Sequence, residues 1–210
     1  AILFRDSTLR CDFSGGRQID GTKSYDFSNT GDTDTLLPGN VMGKITSSGL
    51  YAPSLLGLSN AAYAGGVTLT ITANASSYIS ARIGASGTFR IVGPAAANGL
   101  VSSEVVTYSA LTATTATITA LLNNYISGSF LLPNDGSQDP ISIIPDGYGM
   151  KVTDLDGVNR ITVPWPAFPI EGLLKSANIV LWPSDTSLRA WLKAAMNGQG
   201  VGQFDFDDSF

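Results

Sequence analysis

The acidic residues are the first place to look for chemistry in this chain. Asp154, Asp156 and Gly157 start with the spacing of a calcium loop, where alternating carboxylates and a glycine turn surround the ion. The glutamate that closes such a loop at its twelfth position is missing, so this segment reads as a plain turn. Asp32 with Asp34, and Asp205 with Asp207 and Asp208, are carboxylate clusters without imidazole or thiolate partners, and read as solvated segments. The chain has no histidine, which removes Ser-His and Cys-His pairs, imidazole metal sites and the commonest general base at neutral pH. Cys11 is alone and reads as a free, unreactive thiol. Gly84-Ala85-Ser86-Gly87 lacks the flanking glycines, lysine and helix of a phosphate loop or nucleophile elbow. A glycosidase needs paired carboxylates on a rigid scaffold, and Glu104 is the only acid between residues 52 and 134. The expectation is therefore a protein that is not an enzyme and holds no metal or cofactor.

Composition points the same way. Charged residues make up 14% of the 210, against roughly 25% in ordinary soluble domains. Gly, Ala, Ser and Thr fill the deficit, and 43% hydrophobic content is enough to bury real cores. The net charge of −5 and the scattered basic residues argue against nucleic acid, whose phosphates need clustered Lys and Arg. No apolar run approaches the ~20 residues that cross a bilayer as a helix. The start, Ala1-Ile2-Leu3-Phe4-Arg5-Asp6, lacks the pattern of a signal peptide, and Ala1 is a small residue of the kind left after initiator Met removal. The expected place of synthesis is a cytoplasm, with no membrane partner.

Charge also divides the chain. Residues 1–50 carry eleven charges and residues 52–134 only three, Arg82, Arg90 and Glu104, before an ordinary mix returns. That is the signature of an insertion into a host domain. Residues 1–35 have weak periodicity, with short extended pieces at Ile2–Phe4 and Ser24–Phe27, and read as an extended arm or as ordinary edge strands. Asn40–Thr46 is a strand between Pro38-Gly39 and Ser47-Ser48-Gly49, and residues 55–64 read as a short helix or loop. The insertion, 65–132, alternates like β-structure. Strands are expected at Val67–Thr72, Tyr78–Ile83, Thr88–Val92, Glu104–Tyr108, Thr114–Leu121 and Tyr125–Leu131, which makes a small sandwich or barrel. The host domain, 36–64 and 133–210, resumes with strands at Ile141–Ile144, Gly149–Thr153 and Ile161–Val163. The prolines of Pro164–Pro169 exclude helix and central strand. A helix over Leu188–Met196 presents Leu188, Trp191, Leu192 and Ala195 on one face, with Asp185 as N-cap, and Val201–Phe206 closes the chain as a strand. The fold class is mainly β, a small β-rich host with one C-terminal helix, interrupted by a β-sandwich or barrel.

Two motifs remain. Leu37-Pro38-Gly39-Asn40-Val41-Met42-Gly43-Lys44-Ile45-Thr46 runs into Ser47-Ser48-Gly49-Leu50-Tyr51-Ala52-Pro53, and roughly ninety residues later Asp135-Gly136-Ser137-Gln138 runs into Ile141-Ser142-Ile143-Ile144. This order resembles the head-decoration (capsid cement) proteins of lambda-type tailed bacteriophages, over residues 36–53 and 134–206. In that family the two motifs lie closer together. Pro38, Gly39, Gly43, Lys44, Asp135, Gly136, Ser137 and Gln138 carry the likeness. The resemblance implies a structural protein on the capsid exterior of a virion, bound to the major capsid protein and trimeric on the shell, that reinforces the expanded head against packaged DNA. It also implies an arm that adds a strand to capsid β-structure, here through Ile2, Leu3, Phe4, Tyr25 and Phe27. Trp165 and Phe168, apolar residues with few local partners in sequence, are the expected oligomer contact. The other reading is a tail-fibre or adhesion module that binds carbohydrate through the insertion and the Trp-rich loop, where Trp165, Phe168, Trp182 and Trp191 supply aromatic faces.

Overall fold

The computed structural model describes residues 10–26, 28–29, 31–94, 100–145 and 149–208. In chain order the elements are β1 (Arg10–Asp12), β2 (Gln18–Asp20), β3 (Thr35–Leu36), β4 (Val41–Lys44), β5 (Tyr51–Pro53), β6 (Gly57–Ser59), β7 (Thr68–Thr70), α1 (Ala73–Arg82), β8 (Gly87–Pro94), β9 (Val101–Leu111) and β10 (Thr115–Ile118). There follow β11 (Ser129–Pro133), β12 (Pro140–Ile143), β13 (Met150–Lys151), β14 (Thr162–Pro164), β15 (Phe168–Lys175), α2 (Thr186–Gly198) and β16 (Gln203–Asp207). The fold is mainly β, with one helix near the C-terminus and a second, α1, between β7 and β8.

The chain forms two compact units. One takes the chain through Ser54, then Asp135–Trp182, then the chain from Leu192; the other takes Leu55–Asn134 and Pro183–Trp191. The second unit begins at Leu55, ten residues ahead of the expected 65, because β6 belongs to its sheet.

In the first unit, five strands run in the order β12-β4-β5-β2-β14 and three in the order β1-β15-β16, with β3 paired to β13. Its core gathers Ile19, Leu36, Met42, Tyr51, Ile144, Val152, Trp165 and Phe168. Two expectations need correction here. The described part of the supposed arm is built into this unit: β1 pairs with β15, β2 lies between β5 and β14, and Ile19 is fully buried. Three-residue strands show little periodicity, so a sequence window could not separate them from an unstructured arm. The prolines of 164–169 also do less than expected. Pro164 ends β14 at a sheet edge, and Pro169 lies in β15, the central strand of its sheet, opposite Cys11 but ahead of Glu171, where the pairing with β16 begins. The register slips between Arg10 and Cys11, beside the position where Pro169 has no N–H to give.

In the second unit, six antiparallel strands run in the order β6-β11-β8-β9-β10-β7. The two outer strands meet: Ser59 pairs with Ile71, Asn60 N–H donates to Thr70 O at 2.9 Å, and Thr72 N–H donates to Leu58 O at 3.0 Å. The sheet thus closes on itself as a small barrel, which leaves no long free edge. Leu69, Ile71, Phe89, Ile91, Val106, Ile118 and Leu121 fill its interior, while the alternating threonines Thr68 and Thr70 face outward. The segment Tyr78–Ile83 is helical, not a strand. Ala75, Tyr78, Ile79 and Arg82 are buried together with Ser76, and the first four are spaced i, i+3, i+4, i+7, a helical period hidden by starting the window at Tyr78. Gly57 lets α1 lie close, since a Cβ there would stand 2.4 Å from the Ala75 Cβ.

Candidate functional site

The two motifs, far apart in sequence, form one clasp in the first unit. β12 pairs with β4, and Thr46 N–H donates to Asp135 O at 2.8 Å. The Asp135 carboxylate accepts from Ser137 N–H at 3.1 Å and Ser137 Oγ at 2.6 Å, and Gln138 Oε1 accepts from Gly136 N–H at 2.7 Å. The Asp-Gly-Ser-Gln turn therefore satisfies itself and grips the end of β4. Both glycines are required by contact. A Cβ at Gly43 would stand 2.1 Å from Ser137 O, and one at Gly136 (φ +104°) would stand 2.1 Å from Thr46 Oγ1. Gly39 has φ +94°, and a Cβ there would meet Asn178 O at 2.2 Å. Lys44 is exposed and Pro38 half-buried. The likeness thus consists chiefly of turn and close-approach residues.

Beside the clasp lies a buried polar knot that the sequence did not announce. Asp26 is 0% exposed, and its carboxylate accepts from Asn40 Nδ2 and Leu37 N–H at 2.7 Å each, from Ser28 N–H at 3.0 Å, from Asn29 N–H at 3.3 Å and from the Ser28 hydroxyl. A buried carboxylate is tolerated only with such a complement of donors. Tyr25, one residue away, is half-buried under Arg160, whose guanidinium carbon lies 3.5 Å from the ring centroid. Of the other expected arm residues, Ile2, Leu3, Phe4 and Phe27 lie outside the described residues.

Trp165 and Phe168 are 2% and 0% exposed, with ring centroids 4.8 Å apart and Tyr51 against both. Arg17 lies over Phe168, 4.3 Å from its centroid. The partners absent from the local sequence come from β5 and the segment before β2, so these two rings are core and offer no surface to another subunit. Trp182 stacks on Phe206 in the same unit, while Trp191 meets Phe130 in the other.

At least one carboxylate of each cluster is engaged within the fold. Asp154 accepts from Asn159 Nδ2 at 2.8 Å and from Val158 and Asn159 N–H, and these bonds hold its carboxyl below the ordinary aspartate range. Asp32 is lowered chiefly by the Thr35 hydroxyl, and Asp12 by Ser14 and then Arg17. Asp208 pairs with Lys193. Glu104 accepts from Leu122 N–H at 2.9 Å and Asn123 N–H at 3.1 Å, fixing a loop of the barrel. Burial, and then Glu104, pushes the Tyr125 phenol well above its usual value. A polar groove along β16, lined by Glu171, Asn197, Gln203 and Asp205, is bridged within the fold, since the Asn197 amide pairs with Phe204 N–H and O at 2.7 and 2.9 Å. Among the described residues, no three His, Cys, Asp or Glu side chains are grouped to hold a metal. No protein family, curated protein or solved structure matches this chain.

Proposed function

We propose that this chain is a structural protein of a tailed-phage head, a decoration protein that binds the outside of the expanded shell and stiffens it against the pressure of packaged DNA. The observation that supports the reading is the clasp: the Pro38–Thr46 segment and Asp135-Gly136-Ser137-Gln138, the two parts of the resemblance, are neighbours in one folded unit. Most of the rest of the likeness belongs to that unit too, including β16 and α2 from Leu192 onward, while Pro183–Trp191 falls in the same compact unit as the barrel residues 55–134.

The physics of such a role asks for surface and rigidity. A low charge density and a net charge of −5 suit a protein facing away from DNA. Short strands tied by backbone and turn hydrogen bonds make a stiff body, and three such bodies joined on a shell bind as one. The work is mechanical, with the major capsid protein as partner.

The direct test mixes the purified protein with expanded, undecorated shells of its parent phage and images them by cryo-electron microscopy. Added density on the outer surface at three-fold positions, with a higher temperature of shell rupture, is the expected result. Bare shells at saturating protein would refute the reading.

A further inference from the structure

Among the described residues of the first unit, the most exposed apolar side chains sit on a hairpin tied by several hydrogen bonds. Leu155 is 103% and Val158 77% exposed at the tip of the segment that runs from Val152 to Ile161. Thr153 pairs with Arg160 at its base. Asp154 N–H donates to Asn159 O at 2.8 Å and Gly157 N–H to Asp154 O at 3.0 Å, while the Asp154 carboxylate takes three more donors from Val158 and Asn159. Below the base, Ile161 N–H donates to Val152 O and Gly21 N–H to Ile161 O, and Val152 is fully buried. Arg160 anchors the outer arm to Ser24 O, Thr33 O and the Asp34 carboxylate.

A polar tip would serve this turn equally well, because neither apolar side chain packs on anything in the fold. Exposed leucine and valine on a loop that cannot fold away are the form of a docking knob, whose ordering entropy is already spent. We infer that the Leu155–Val158 hairpin inserts into an apolar pocket with a basic rim on a protein partner. Charge selects that partner. Asp154 and Asp156 lie in the hairpin itself, Asp32 is within electrostatic reach of Lys151, the counter-cation beside Gly157, and Arg160 is paired with Asp34. Three carboxylates against one ammonium leave an acidic collar, which repels nucleic acid and anionic lipid and suits lysine or arginine around the pocket. Two side chains are far smaller than the ~800 Å² a side of a standard interface, so the knob acts as one anchor of a multivalent contact. Resting on the reading above, the pocket is on the outer surface of a shell subunit.

The test compares wild type, the double variant Leu155→Ser/Val158→Ser, Asp156→Lys, and the control Leu122→Ser, a leucine 80% exposed on the barrel. Each is titrated onto expanded undecorated shells after thermal unfolding has verified its fold. Wild type and control should saturate at the same concentration, and the double variant should need about ten- to a hundredfold more, the loss seen when an anchor is truncated. Asp156→Lys should slow association severalfold at low salt. A double variant that saturates within about threefold of wild type overturns the knob and leaves the decoration reading intact. An unchanged rate for Asp156→Lys overturns the basic rim. Wild type that does not bind at all overturns the decoration reading, and the inference with it.

Discussion

The guanidinium of Arg160 lies 3.5 Å from the ring centroid of Tyr25, although the two residues are far apart in sequence. The same group pairs with Asp34 and donates to the carbonyls of Gly21, Ser24 and Thr33. One side chain thus stitches residues 21–34 to the hairpin of 153–161. Planar, forked donors and a flat cation make this possible, and a lysine has neither.

Replacing Arg160 with alanine should therefore destabilise the first unit by about 2–4 kcal/mol, since it removes a ring contact, the ion pair with Asp34 and the hydrogen bonds to three carbonyls. Arg160→Lys should recover less than half of that. Urea unfolding followed by the near-ultraviolet signal of the buried tryptophan reads both. Equal stability of wild type and Arg160→Ala would show that residues 21–34 are held by other means.

The clasp makes a sharper demand. Gly43→Ala and Gly136→Ala each place a Cβ about 2.1 Å from an oxygen, Ser137 O and Thr46 Oγ1 respectively. Each should cost about 3 kcal/mol or more, because β4 and the turn must move apart. Gly15→Ala, at positive φ like Gly136 but with open space around it, should cost only about 1 kcal/mol. A loss at Gly136 no larger than at Gly15 would mean that Gly136 matters for backbone freedom alone, and an unchanged stability in Gly43→Ala would overturn the close-contact argument.

Removal of the barrel is expected to have a cost that its position as an insertion conceals. Leu56 N–H donates to Leu131 O at 2.8 Å, so the chain leaves and returns side by side and a short Gly-Ser linker can replace 55–134. Trp191 would then lose Phe130, whose ring centroid is 5.8 Å from its own. The deletion should fold, bind a hydrophobic dye more strongly than wild type, and lose most of that excess when Trp191→Gln is added. A deletion with no extra dye binding would show that Pro183–Trp191 finds other cover.

Alkali should act on the barrel first. Burial raises the Tyr108 phenol, and burial together with Glu104 raises Tyr125. Both phenols hold their protons longer when folded, so the unfolded chain ionises first and stability falls as pH rises past about 10. Unfolding midpoints at pH 8 and about pH 11 should differ more for wild type than for Tyr125→Phe. Identical slopes would place the alkaline loss elsewhere.

Much of this architecture is written in local patterns. Period-two alternation marked β7, β8, β9 and β10, a helical stripe with Asp185 ahead of it marked α2, and the shortage of charge marked the barrel. These signals survive because burying one face of a strand or helix dictates the residues along it, whatever it packs against. Asp185 does cap the helix, accepting from Ser187 and Leu188 N–H at 2.9 and 3.0 Å. The motif glycines were visible as well, but not why they are glycines, since Gly43 and Ser137 meet only when β12 pairs with β4. The tertiary structure alone decided that Trp165 and Phe168 are core, that Asp26 is a buried acceptor with its donors in place, and that Tyr25 lies under Arg160. Each depends on partners brought from far along the chain, and a sequence window carries no record of which distant groups will satisfy a ring or a charge.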